Sequence, residues 1–185
     1  MAGRQLTPFE HILLGMICMA PASGYDLKRM FAATAMGVYQ PSSGALYPAL
    51  HRLELRGLVQ AQAPPGPGSQ TARHRRVYEP TRTGRATHAK WLGTPVDPAT
   101  VARDLGLHLM RFVMMEHLFT SEEVLTFLRG LADALAAFTA ELEQHAAADP
   151  GDRHPRLAVE HGLAVYRASL RWAEHAIATL SAVPV

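Results

Sequence analysis

Cysteine occurs once in the 185 residues, as Cys18. A single thiol excludes an internal disulfide framework and fits a reducing cytoplasm, the expected location. In its apolar surroundings Cys18 reads as a small buried hydrophobe. Long apolar runs are missing too. No stretch approaches the roughly 18 uninterrupted apolar residues of a membrane span, so no membrane association is expected. The run from Ile12 to Ala20 has the look of a leader core but follows Glu10 and His11. It lacks a small-x-small cleavage pattern and reads as a helix of the mature protein. No nucleophile, base and orienting partner are arranged together, and no glycine-rich loop opens a helix to cradle phosphate, so no enzymatic activity and no cofactor are expected. Histidine is plentiful in the second half, as His108, His117, His145, His154, His161 and His175. None forms a tight ligand pair at helical spacing, and these side chains read as solvated or packed rather than as a metal site.

What the chain does have is a charge division that its net charge of +2 conceals. Met1 to Gly93 holds eleven basic and four acidic residues, a balance of +7. The remainder holds seven basic and twelve acidic residues, a balance of −5. Such a split implies that the first half meets a polyanion and the second does not.

The basic half is punctuated into short elements. Thr7-Pro8-Phe9-Glu10 is a capping box opening a helix with Ile12, Leu13, Met16 and Ile17 at helical spacing. Pro21 to Gly24 breaks it, and Ser23 caps a second short helix through Asp26, Leu27, Met30 and Phe31. Residues Ala32 to Pro41 read as a connector. A third helix begins near Ser42 or Ser43, carries Leu46, Leu50, Leu53 and Leu55, and stops at Gly57. Pro48 lies early in it with Gly44 four residues back, which eases the ring clash. Leu58 to Ala61 and Arg76 to Glu79 read as two strands around the tip Pro64-Pro65-Gly66-Pro67-Gly68-Ser69, a hairpin wing. Thr83-Gly84 then opens a helix running to Trp91, and Gly93 to Pro98 reads as the boundary between the halves.

The acidic half reads as helix throughout. One helix is expected from about Ala99 to His117, with Leu105, Leu109, Phe112 and Val113 on its face. Thr120-Ser121-Glu122-Glu123 caps the next, where Val124, Leu128, Leu131, Leu135, Phe138 and Leu142 recur in steps of four and three. After Asp149 to Asp152 the last helix repeats that rhythm with Leu163, Tyr166, Leu170, Ala173, Ile177 and Leu180. This is coiled-coil spacing, and the last six residues are the expected dimerisation seam. Packing of the two helices on each other within one chain is the alternative. The fold class is therefore mainly α: a winged helix-turn-helix over residues 1–93 and an all-α dimerisation domain over 94–185.

Reading duplex DNA takes a helix that enters the major groove and cations spaced along the phosphates. The third helix offers Ser42, Ser43, Tyr47, His51 and Arg52 opposite its leucines. The wing offers Arg73, His74, Arg75 and Arg76, and the second helix adds Tyr25, Lys28 and Arg29. Like charges packed as closely as those of the wing make sense facing phosphates or a narrow minor groove. Large aromatics, namely Trp91, Phe112, Phe119, Tyr166 and Trp172, are candidates to line an effector cavity, although each taken singly reads better as an ordinary core residue.

The order Gly24-Tyr25-Asp26-Leu27, Ser43-Gly44-Ala45-Leu46-Tyr47-Pro48-Ala49-Leu50, Arg52-Leu53-Glu54 and Gly57-Leu58-Val59 resembles the PadR family of winged-helix transcriptional regulators. Arg76 to Thr81, Thr83-Gly84 and Trp91 continue the pattern, so the resemblance spans about Leu6 to Trp91. It implies a homodimer bound to a palindromic operator in double-stranded DNA, usually as a repressor, with a small aromatic or drug-like effector that releases it. One departure is Pro80, where the family carries an aliphatic residue. Its missing amide leads us to expect a short or irregular wing edge. Two other readings stay open: a winged-helix protein–protein interaction module without DNA binding, and a metal-responsive regulator using the histidines of the second half.

Overall fold

The computed structural model describes residues 5–33, 42–62, 76–148 and 152–182. Its contacts divide the chain into two compact units, Met1–Leu92 and Gly93–Val185.

The first unit contains α1 (Pro8–Met19), β1 (Ala22–Ser23), α2 (Gly24–Ala33), α3 (Ser43–Leu55), β2 (Val59–Ala61), β3 (Val77–Pro80) and α4 (Arg82–Leu92). The capping box at the start of α1 forms in both directions. Glu10 N–H donates to Thr7 Oγ1 at 3.2 Å, and Thr7 N–H donates to Glu10 Oε2 at 2.8 Å. Ser23 and Asp26 make the same exchange at α2. Ala32 and Ala33 extend α2 into the expected connector, whose remaining residues lie outside the described ones. The end of α3 is a Schellman turn. Leu58 N–H reaches Leu53 O at 3.0 Å, Gly57 N–H reaches Glu54 O at 2.8 Å, and Gly57 takes the left-handed φ of 65° that this closure requires. The core joins Ile12, Leu13 and Ile17 of α1 to Leu27, Phe31, Leu46, Leu50, Leu53 and Leu92, all 2% exposed or less.

The sheet has three strands rather than the two expected, in the order β1-β3-β2, all antiparallel. Two residues of β1, Ala22 and Ser23, pair with Tyr78 and Val77. So short a strand leaves no alternation to read, which is why this segment looked like a simple break. The expectation of an irregular edge at Pro80 is also overturned. Pro80 sits at the end of the central strand, past the last residue that β1 reaches, and still pairs with Val59. The ladder continues through Thr81, whose N–H donates to Leu58 O at 3.0 Å. Thr81 Oγ1 also accepts from Gly84 N–H at 3.0 Å, so α4 starts one residue before the expected Thr83.

The second unit contains a 3-10 turn (Pro98–Thr100), α5 (Leu105–Met115), α6 (Ser121–Ala148) and α7 (Arg153–Ser181). The helix expected from Ala99 to His117 is thus shorter. Asp97 Oδ1 accepts from Ala99 N–H at 3.0 Å and starts a tight turn, and turns occupy residues 101–104 before α5 begins. Its buried face is Leu107, His108, Arg111, Met114 and Met115, while Val113 of the anticipated face is 51% exposed. The Thr120–Glu123 capping box forms as expected, with Thr120 N–H donating to Glu123 Oε2 at 2.8 Å.

The two helices with 3-4 spacing pack on each other. Phe138 and Tyr166 meet edge to face at 4.9 Å, and Arg167 Nη2 donates to Glu143 Oε1 at 2.6 Å. Leu163 and Ala173 are buried in this contact, so two members of the expected dimerisation seam are covered by α6 of the same chain. Tyr166, Leu170, Ile177 and Leu180 remain half-buried. No helix among the described residues is long and apolar enough to cross a membrane.

Candidate nucleic-acid interface

Leu46, Ala49, Leu50 and Leu53 turn one side of α3 into the core, which obliges the opposite side to face outward. Ser42, Ser43, Tyr47, His51 and Arg52 are all exposed there. Pro48 leaves the helix unbroken from Ser43 to Leu55. Ser42 occupies the N-cap with extended backbone, and its hydroxyl makes no capping bond. Ala45 N–H already donates to Ser42 O at 2.9 Å, so the amides of Ser43 and Gly44 are the ones an anion can approach at this end of α3, where the helix dipole favours one.

Tyr47 is positioned by a glycine in another helix. A Cβ on Gly24 would stand 2.6 Å from Tyr47 Cε1, so only glycine lets this ring lie on the start of α2. Tyr47 is 53% exposed and Tyr25, next to Gly24, is 54% exposed. Two rings with phenolic hydroxyls thus stand on one surface with Lys28 and Arg29, both exposed on α2. Arg73, His74 and Arg75 lie outside the described residues.

Two of the expected DNA-contacting cations already hold partners. Arg52 Nε donates to Glu10 Oε1 at 2.6 Å, where the Glu10 side chain is 2% exposed and that of Arg52 is 44% exposed. Burial pushes the Glu10 carboxyl up. The bonds from Thr7 and Arg52 outweigh that and hold it below the usual carboxylate range. Arg52 therefore serves the fold by neutralising a buried anion, and only its outer nitrogens are left to face solvent. The second cation, Arg76, donates from Nη2 to Glu54 Oε1 at 2.5 Å and lies 5.5 Å over the ring of Tyr78. Burial raises the Tyr78 phenol above its ordinary value, partly offset by the Arg76 charge.

Glu10 and Glu54 were missed as site residues. Glu10 has its capping role written in its own segment, but its partner is 42 residues away. Glu54 did carry a signal. A carboxylate in the last turn of a helix opposes the dipole and calls for a cation from elsewhere. We expect Glu10→Gln to cost about 1.5–3 kcal/mol of stability, the value of hydrogen bonds to a charged group. Because the folded-state pKa of Glu10 is depressed, its contribution is present above the ordinary carboxylate range and is lost as pH falls through that depressed value. Chemical denaturation of the variant at neutral and acid pH checks both statements.

In the second unit, Phe112, Val113, Glu116, Phe119, Ser121, Val124 and Leu180 line a half-open cavity of ≈ 320 Å³. It takes two of the five aromatics expected to line an effector site. Trp172 packs edge to face on Phe112 at 5.4 Å but is not part of the lining, and Tyr166 is occupied with Phe138. Trp91 belongs to the first unit, stacked on His11 at 4.7 Å. No group of three or more His, Cys, Asp or Glu suited to a metal occurs among the described residues. His108 is buried beside Arg111, whose guanidinium lies 4.7 Å over Phe127 and donates to the Thr94 carbonyl.

A model of the transcriptional regulator PadR-like family matches residues 13–90. A second model, described as virulence activator alpha C-term, matches residues 96–181. A search of curated proteins gave no match. Solved structures similar to this chain include PadR of Bacillus subtilis in complex with operator DNA, at 16% identity over 95% of this chain and 99% of that one, with a TM-score of 0.42. The Vibrio cholerae virulence activator AphA is 21% identical over 94% and 98%, with a TM-score of 0.40. A PadR-like transcriptional regulator from Bacillus cereus is 18% identical over 94% and 98%, with a TM-score of 0.38.

Proposed function

Since residues 13–90 make this chain a transcriptional regulator of the PadR-like family, with a virulence-activator C-terminal domain behind them, we propose that it is a homodimeric, sequence-specific repressor acting in the cytoplasm and released from DNA by a small aromatic or drug-like ligand. The observation that carries the DNA reading is the outward face of α3. Ser43, Tyr47 and His51 recur every four residues on the side opposite the buried leucines, with Lys28 and Arg29 exposed on α2 for the phosphates. Ser42 and the amides of Ser43 and Gly44 take a phosphate, and the wing residues Arg73, His74, Arg75 and Arg76 extend the contact.

Selection of bound duplexes from a random pool tests this reading. The expected product is a palindrome with half-sites one helical turn, or a multiple of it, apart. Failure to enrich any sequence overturns it. His51→Ala is expected to change which bases are enriched, whereas Lys28→Ala weakens binding to all sequences and lowers the salt dependence by about one phosphate.

For self-association the seam residues already covered by α6 are unsuitable, and the outward side of α7 supports a different surface. Leu157 and Val165 are 49% and 39% exposed, and with exposed Ala168 they recur at helical spacing on the side of α7 opposite Leu163. Leu157→Asp with Val165→Asp is expected to shift the protein from dimer to monomer in sedimentation, and a retained dimer rejects this surface. The cavity at Phe112 and Phe119 supports the ligand reading through its mainly apolar lining with one carboxylate and one hydroxyl.

A further inference from the structure

Resting on the DNA-binding reading above, we propose that Glu54 acts as a built-in substitute for phosphate, occupying Arg76 in the DNA-free protein and so restraining affinity for arbitrary sequence. Arg76 is the first described residue after the wing tip, and its side chain is 58% exposed, whereas that of Glu54 is only 23% exposed. The cation therefore faces solvent while the anion is set back against α3. Carboxylate and phosphate present the same kind of anionic oxygen to a guanidinium, so DNA must compete with Glu54 for Arg76. Tyr78 under the guanidinium restricts where it can move.

The position of Glu54 gives the competition its cost. It is the penultimate residue of α3, at the negative end of the helix dipole. When Arg76 turns to a phosphate, Glu54 is left unpaired there, beside a second polyanion. That cost is the same on every sequence. It therefore lowers operator and non-specific binding by the same factor, and duplexes that also satisfy the outward face of α3 keep enough affinity to be bound. The Glu10–Arg52 pair is not exchangeable in this way, because Glu10 is buried and also bonded to Thr7.

The test is fluorescence anisotropy with a random-sequence duplex across a salt series, using full-length wild type, Glu54→Gln, Arg76→Gln and the double variant. Glu54→Gln is expected to bind about 1.4- to fivefold more tightly, the range of one exposed ion pair, and to steepen the salt dependence by about one phosphate. The double variant should lose that gain. Wild type that binds DNA while Glu54→Gln shows no gain, or a gain that survives in the double variant, overturns this inference alone. Wild type that binds no duplex overturns the DNA reading with it. Glu54→Met, which keeps the length of the side chain, is the substitute if the glutamine variant fails a thermal-melt check of folding, and the same outcomes apply to it.

Discussion

Gly84→Ala is expected to destabilise the winged unit more than any other single methyl group added to it. A Cβ at this position would lie 1.9 Å from the carbonyl oxygen of Leu58 and 2.9 Å from its carbon. Both are backbone atoms of the residue just before β2, so no side chain can swing aside to make room. The first turn of α4 is fixed there by Thr81, whose hydroxyl donates to Gly57 O at 2.6 Å and accepts from Gly84 N–H. Relief of the clash would have to pull the helix off the sheet and break those bonds. Overpacking ordinarily costs about 1–3 kcal/mol, and a backbone-to-backbone clash belongs at or above the top of that range. For a domain of this size the melting temperature should fall by on the order of 15 °C. Gly130→Ala in α6 is the control. A Cβ there meets nothing within 4 Å, so helix propensity alone predicts a gain of about 1 kcal/mol. Thermal melts of the two variants should move in opposite directions, and a Gly84→Ala protein that melts with wild type would refute the close approach of α4 to β2.

The second large effect is on acid stability. His88 of α4 is 1% exposed, and neither ring nitrogen has a hydrogen-bond partner among the described residues. Burial alone lowers its pKa to about 4. For His108 burial, and then the Arg111 charge, lower it to about 4 against the opposing pull of Asp104 and Asp97. A histidine whose folded pKa is depressed is harmless while both states are neutral, above the unfolded value of roughly 6.5. As pH falls below that, the unfolded chain takes up the proton first and gains stability. The loss to the fold grows until the folded state protonates too, near pH 4. Over such a window each histidine removes about 3 kcal/mol. Leucine at position 88 titrates in neither state, so His88→Leu should flatten the pH dependence of the winged unit and be the more stable protein at about pH 5. The two tryptophans allow this to be read separately, since Trp91 lies in the first unit and Trp172 in the second. Denaturation followed by Trp91 fluorescence in a Trp172→Phe background reports on His88. An unchanged difference between neutral and acid stability would show that His88 is not the group responsible.

The elements that could be read from the chain are those whose determinants lie close together in sequence. The Thr7 and Thr120 boxes span four residues each, the Gly57 turn closes over six, and the apolar stripes of α3, α6 and α7 repeat locally. The misreadings all concern partners far apart or patterns too short to repeat. Two-residue β1 has no period, the turns at 101–104 interrupt a segment with helical composition, and the stripes of α6 and α7 could not reveal whether each faced the other or a second copy. The chemistry of the interface divides in the same way. Exposure of Ser43, Tyr47 and His51 follows from the burial of Leu46, Leu50 and Leu53. The engagement of Arg52 by Glu10 and of Arg76 by Glu54 does not, since only the tertiary fold brings those carboxylates within reach.

The pairing of Ala22 and Ser23 with Tyr78 and Val77 also sets a timetable. α6 ends at Ala148 and α7 begins at Arg153, so the helical hairpin closes over a very short loop and should assemble on the fast side of folding. The sheet cannot close that way. Its first strand is made early and must wait for the third, more than fifty residues later in synthesis. Until Tyr78 and α4 emerge, α1 has α2 and α3 beside it but lacks the strand and helix that complete its cover. On the ribosome the winged unit is therefore the slow and vulnerable part of this protein, although it is made first.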